Sequence, residues 1–256
     1  LGLSYDSGVR PLTRQQLIDS CREDVSMSPE CLRSYQEKSA DNPIFAGIDW
    51  GSGDRSYSVL TLATYVDMKF RVFYMHRFVA EEAEPAVQVE KIIRIIRAFN
   101  VKIVGTDYGY GFAMNDSLIR KFGPQRIQRF AYSARLKKKV ENDPKLRRWK
   151  VHRSEVMSDI FNAIKRRQFE FPKWDEFKEP YASDMLNIFS EYNETLHMIQ
   201  YGHHPDKPDD SFHSLVFCFL ASMVLVPRPD IIAPSKELPH QGPRFGGAPS
   251  EPIDQG

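Results

Sequence analysis

Cysteine is scarce in this 256-residue chain. The three present, Cys21, Cys31 and Cys218, are an odd number without metal-ligand spacing, which excludes a disulfide framework or a zinc site and fits a reducing compartment. Long hydrophobic runs are missing as well. The most apolar stretch, Leu215 to Val226, falls short of the ~20 residues that cross a bilayer and reads as a buried helix. No Gly-x-x-x-x-Gly-Lys-Ser/Thr loop occurs, so no ATP site is expected here. Internal repeats are absent, and a net charge of only +1 announces no polyanionic partner. The chain opens at Leu1 with neither Met nor a signal-like segment, and we expect a fragment of a longer, non-secreted protein.

What is present is ordinary in bulk and uneven in distribution. Hydrophobic residues make up 41% and charged residues 27%, as in a soluble globular protein large enough for one sizeable domain or two small ones. Nine cations (Arg135, Lys137, Lys138, Lys139, Lys145, Arg147, Arg148, Lys150 and Arg153) face only two acids, Glu141 and Asp143, within one short segment. Aromatic Tyr132 and Trp149 border or interleave it. Such a local excess suits a phosphodiester backbone.

The pattern divides the chain into three parts. Residues 1–43 read as a connector with two short helices, one starting at a capping box in Thr13-Arg14-Gln15-Gln16, the other after Ser28-Pro29-Glu30. Residues 44–226 read as an α/β body. Ile44 to Trp50, Tyr57 to Tyr65 and Phe70 to Phe78 form a predicted three-strand antiparallel meander. Pro85 opens a helix with Val89, Ile92, Ile93, Ile96 and Phe99 on one face. Val101 to Thr106 is a strand covered on both sides. A helix over Asn115 to Phe122 stops at Gly123-Pro124, and Arg126 to Tyr132 is a fifth strand. The basic segment, with its Asn142-Asp143-Pro144 turn signal, is a hairpin or a mobile loop. Ser154 caps a helix to Arg167, Trp174 to Glu191 is partly helical, Thr195 to Tyr201 is a final strand, and Ser211 to Val226 is the closing helix. His203 and His204 read as loop residues, and none of His197, His203 and His204 reads as a ligand. Residues 227–256, with seven prolines in thirty positions, read as a disordered tail.

The chemistry lies in three acidic positions. Asp49 and Asp107 each end an apolar strand and precede glycines (Gly51 and Gly53; Gly109 and Gly111) that permit tight turns and close approach of a phosphate. Asp209-Asp210 opens the closing helix. The pair serves equally as an N-cap with a first-turn acid, a role compatible with metal binding. Strand ends and a helix start can converge, and clustered carboxylates call for a cation; hard oxygens suit Mg²⁺ or Mn²⁺. These features imply metal-dependent phosphoryl transfer, most simply a two-metal nuclease. His213 orients a ligand or leaving group, or is a packed histidine.

The motifs Ala46-Gly47-Ile48-Asp49-Trp50-Gly51, Val104-Gly105-Thr106-Asp107-Tyr108-Gly109 and Asp209-Asp210-Ser211-Phe212-His213-Ser214, in this order, resemble the nuclease domain of tailed-bacteriophage terminase large subunits. Arg153-Ser154-Glu155 leading to Phe161-Asn162-Ala163-Ile164 adds to the likeness. The resemblance implies a ribonuclease H-like mixed sheet flanked by helices over residues 44–226. It implies an endonuclease that cuts concatemeric double-stranded viral DNA when packaging starts and ends. Asp49, Asp107 and Asp210 would be catalytic metal ligands for two Mg²⁺ or Mn²⁺ ions, with Asp209 an auxiliary acid at the metals; the doublet leaves open which of Asp209 and Asp210 is the main ligand. The ATPase domain preceding residues 1–43, the portal and the small terminase subunit would be partners, in the cytoplasm of the infected bacterium. Cellular ribonucleases H carry a further acid on their first helix, for which Glu90 is the candidate. A resolvase or transposase-like enzyme and a non-catalytic DNA-grip or portal-docking module are the rival readings. Movement of Arg135 to Arg153 over the site is the expected restraint on cutting.

Overall fold

Two strand ends and one helix start are brought together by an eight-stranded mixed sheet. The computed structural model describes residues 9–51, 56–133, 136–195, 197–228 and 230–232. Near the N-terminus lie α1 (Arg14–Ile18) and α2 (Pro29–Glu37). Thr13 and Gln16 form the expected capping box, and Ser28 caps α2. Leu12, Leu17 and Val25 are buried in the body, so the described part of the expected connector packs against it.

The meander follows as β1 (Phe45–Asp49), β2 (Val59–Val66) and β3 (Lys69–Arg77). Its β2–β3 turn places Asp67 and Met68 at positive φ, the handedness that a two-residue hairpin needs. Helix α3 (Pro85–Ala98) returns the chain to β4 (Ile103–Asp107), parallel to β1. Its buried face is the expected one, centred on Ile92 and Ile96. Helix α4 (Phe112–Phe122) leads to β5 (Ile127–Ser133), parallel to β4. It begins three residues before the predicted Asn115, with Gly111 at its N-cap.

The basic segment is a hairpin, β6 (Val140–Asp143) and β7 (Arg148–His152), and β7 joins the sheet parallel to β5. Helix α5 (Arg153–Lys165) continues directly from it. His152, not the predicted Ser154, caps α5, its ring accepting the Glu155 N–H at 3.4 Å. A short edge strand that the sequence reading missed, β8 (Phe169–Glu170), pairs with β3. The strand order is β6-β7-β5-β4-β1-β2-β3-β8.

Beyond it come α6 (Trp174–Phe177) and α7 (Ser183–Leu186), then β9 (Ile188–Asn193) and β10 (Met198–His203). The segment expected to be partly helical therefore ends in a strand. The expected final strand pairs with it in a separate two-stranded sheet, outside the main one. Helix α8 (Asp210–Met223) is buried along its whole length, as an all-round apolar helix must be. It lies on one face of the sheet with α5, while α3 and α4 cover the other. The tail is ordered further than predicted: Ile231 and Ile232 are buried, and Arg228 pairs with Asp230 and donates to the Met68 carbonyl at 2.5 Å. Residues 233–256 lie outside the described residues. No helix among the described residues is long and apolar enough to cross a membrane.

Candidate active site

Parallel pairing sets the first two acids. The register runs from Phe45↔Ile103 to Ile48↔Thr106, so Asp49 and Asp107 follow at adjacent C-terminal strand ends. The third acid arrives because α8 rests almost directly on these strands. Gly47 and Gly105 are partners in the register. A Cβ on Gly47 would lie 2.0 Å from the Ser214 carbonyl oxygen, and one on Gly105 would lie 2.2 Å from that of Phe217. Ser214 Oγ donates to the Gly47 carbonyl at 3.0 Å and shares a 2.7 Å hydrogen bond with Thr61. The start of α8, with Asp210 as its first residue, is thereby held over the strand ends.

The acids differ in their partners. The Asp49 carboxylate has no hydrogen bond or ion pair to any described residue; burial, then repulsion from Asp210, Asp107 and Asp209, pushes it well above the usual range. Asp107 accepts the N–H groups of Gly109 (2.9 Å) and Tyr110 (3.0 Å), yet burial still raises it. Asp210 accepts from Ser56 Oγ (2.8 Å) and the Tyr57 N–H (2.9 Å), and burial raises it too.

Asp209 faces another way. It occupies the N-cap position of α8 without a capping hydrogen bond from its side chain. Its carboxylate lies 3.1 Å from His213 Nε2, 3.6 Å from His203 Nε2 and 3.8 Å from Arg153 Nη2. Burial alone would raise it, but His213, His203 and Arg153 together hold it at about 2. His213 is fixed from its other side by the Tyr132 hydroxyl, 2.8 Å from Nδ1. Arg153 lies over the Tyr132 ring at 5.7 Å, and its Nε is buried without a partner.

The capping role falls instead to Asp184, which the sequence reading missed. It is 1% exposed, accepts the Ser211 N–H at 3.2 Å and the Ser211 hydroxyl, and pairs with Arg77. His203, read as a loop residue, closes β10 beside Asp209. Asp184 follows no helix start that the sequence reading located, and His203 lies two residues past the strand expected to end at Tyr201. Glu90 is exposed on α3 and faces Arg94 at 3.7 Å.

Among the described residues, no three His, Cys, Asp or Glu side chains form a ready metal-binding group as they stand. The donor set fits a hard divalent cation all the same. Burial raises all three carboxyls, repulsion from Asp210, Asp107 and Asp209 adds at Asp49, and the Asp49 side chain has no partner among the described residues. Mg²⁺ retains several waters and takes only one or two protein carboxylates.

The basic run does not form one free surface. Arg153 enters the acid cluster. Lys139 pairs with Asp159 at 2.5 Å, and Arg148 and Lys150 lie 3.5 and 3.3 Å from Asp143. The backbone N–H groups of Lys137 and Lys138 donate to Glu141. Lys145 and Arg147 are exposed at the hairpin turn. Arg135, Ser52 and Gly53 lie outside the described residues.

The mixed sheet, with its acids at the ends of β1 and β4 and at the start of the helix across them, has a ribonuclease H-like fold. More particularly, it is the fold of large terminase nuclease domains. The large terminase nuclease of thermophilic phage G20c matches with a TM-score of 0.52 at 14% identity, over 71% of this chain and 83% of that one. The large terminase nuclease domain of Thermus phage P74-26 matches at 0.50 and 13%, over 70% and 80%. The large terminase of thermophilic bacteriophage D6E, in complex with ATP-gamma-S, matches at 0.50 and 10%, over 83% of this chain but 46% of that one. Neither a protein-family model nor a curated protein matches the sequence.

Proposed function

We propose that this chain is the metal-dependent endonuclease of a viral DNA-packaging motor, cutting double-stranded DNA at the start and end of packaging. The observation that carries this reading is the convergence of Asp49, Asp107 and Asp210, with the Asp49 carboxylate left without a described partner, on the fold of large terminase nucleases. In this reading those three acids hold divalent cations, Mg²⁺ or Mn²⁺. Such ions would lower the pKa of an attacking water and neutralise charge on the departing 3′ oxygen.

The chain's own groups do the rest. Asp209, turned toward His213, His203 and Arg153, positions these groups instead of taking a metal. Arg153 brings a fixed positive charge and a buried, unpartnered N–H to the edge of the acid cluster, where a phosphate oxygen would satisfy it. The hairpin cations at Lys145 and Arg147 hold the flanking backbone, which carries no sequence information. The motor's ATPase domain, portal and small subunit are the proposed partners, in the cytoplasm of an infected bacterium.

The test is cleavage of supercoiled plasmid in Mg²⁺, Mn²⁺ or EDTA, beside Asp107→Asn. Metal-dependent nicking that the substitution abolishes is expected. A folded protein that binds DNA but cuts with neither metal would instead be a grip or docking module.

A further inference from the structure

Two aromatic rings stand in solvent beside the acids. Tyr110 is 60% exposed and Phe112 is 53% exposed, on the turn from β4 into α4. Isolated exposed aromatics are common on protein surfaces; this pair is unusual in its mounting. The Gly109 and Tyr110 N–H groups are tied to the Asp107 carboxylate. Gly111, between the two aromatic residues, is pressed onto Trp50, where a Cβ would come within 1.9 Å of the indole. Trp50 Nε1 donates to Asn115 Oδ1 at 2.9 Å, and Asn115 Nδ2 donates to the Asp107 carbonyl at 2.6 Å. The Asn115 N–H closes the turn onto the Gly111 carbonyl at 2.7 Å. The turn is thus locked to the ends of both acid-bearing strands while its rings face water.

Two largely buried arginines, Arg129 facing Asp116 at 3.9 Å and Arg148 facing Asp143 at 3.5 Å, tie the end of β4 to the hairpin, whose turn exposes Lys145 and Arg147. Tyr108, next to Asp107, has the guanidinium of Arg148 at 4.5 Å and that of Arg129 at 5.4 Å from its ring centroid. Arg129 also donates to the carbonyls of Leu146 and Arg147, fixing the hairpin turn beside this strip. Exposed aromatic rings near exposed cations match single-stranded nucleic acid, whose bases stack and whose backbone is anionic.

We propose that Tyr110 and Phe112 form a stacking platform for unpaired nucleobases of the DNA strand at the cut, with the exposed charges of Lys145 and Arg147 at the hairpin turn favouring the adjoining backbone. The proposal rests on reading the acids as a nuclease site and adds the form of the substrate. Bases inside an intact duplex are already stacked on their neighbours, so the platform favours frayed, gapped or nicked DNA. Stacking requires no hydrogen-bond readout and is therefore tolerant of sequence.

The experiment measures binding of a short single-stranded oligonucleotide and of the matching duplex to the full chain in EDTA, where cutting is blocked. 2-Aminopurine in the strand reports stacking. Replacing both residues (Tyr110→Ala with Phe112→Ala) should weaken single-strand binding about tenfold or more, abolish the 2-aminopurine quenching and leave duplex affinity nearly unchanged. Tyr110→Trp with Phe112→Tyr should restore both readouts. Tyr192→Ala, at an equally exposed aromatic on β9, should change neither. Equal loss on both DNA forms, unchanged single-strand binding, or no single-strand binding by the parent chain would overturn the platform. Cleavage is scored separately on plasmid. A cutting enzyme with unaltered single-strand binding sinks the platform alone, and a stacking but non-cutting protein sinks the nuclease reading alone.

Discussion

Gly47 and Gly105 face each other across the parallel strands β1 and β4, and helix α8 lies on both. A side chain at either position would overlap α8 backbone. The two missing side chains set the height of the helix above the sheet, and hence the distance from Asp210 to Asp49 and Asp107.

Gly47→Ala should therefore act on stability and site together. Overpacking against backbone, which has no rotamer to yield, should cost about 3 kcal/mol. Displacement of Asp210 should weaken metal-dependent cutting even where the protein still folds. Urea denaturation gives the first quantity and Mn²⁺ titration of cleavage the second. A fully active variant of unchanged stability would contradict the close packing.

Arg77→Met should be costlier than its position outside the acid cluster implies. It strips the partner from Asp184, a nearly fully buried carboxylate that also caps α8 through Ser211. Breaking a buried pair on one side typically costs about 3–5 kcal/mol. Asp184→Asn, which retains an acceptor for Ser211, should be milder. The urea midpoints of the two variants test this order.

The pH dependence should have a definite sign. In the metal-free protein Asp49, Asp107 and Asp210 are raised by burial, with repulsion adding at Asp49 and Asp210. Their contribution to stability is complete below the unfolded carboxylate pKa of about 4 and is lost as pH rises through the folded values. Asp209, held at about 2, acts oppositely: its contribution is present above about 4 and disappears as pH falls toward 2. In EDTA, the melting temperature should therefore decline from about pH 4 toward neutrality, less steeply in Asp49→Asn. Mn²⁺ should restore it at neutral pH, because a cation held in the proposed site would favour the ionised carboxylates. Identical slopes for the parent chain and Asp49→Asn would count against the raised acid.

The hairpin cations should separate by their partners. Lys145 and Arg147, exposed and without an ion pair among the described residues, should each contribute about one unit to the salt slope of DNA binding. Lys139, held by Asp159, should contribute less. Alanine variants titrated with duplex DNA at several salt concentrations measure this directly.

Much of the architecture was legible locally. The apolar runs ending at Asp49 and Asp107 are β1 and β4, the alternating segments are β2 and β3, and the capping box before Leu17 starts α1 where expected. Local pattern failed where partners are distant. The basic segment showed an excess of like charge, but the sequence did not reveal that Asp159 on α5 pairs with Lys139 or that Arg153 turns inward to the site. Strand β8 has only two residues and exists through its pairing with β3. Ile231 and Ile232, within a proline-rich stretch, are buried by the body they fold against.

The same division applies to the site. By itself the sequence determined which strands end in acids and that a helix begins with two more, because strand runs and helix starts are short-range patterns. Only the tertiary structure decided that Asp210 joins Asp49 and Asp107 while Asp209 turns to His213, His203 and Arg153, and that Asp184 caps α8. Those outcomes depend on the height of one helix above two glycines and on charges far apart in the chain, and burial makes each such placement energetically decisive.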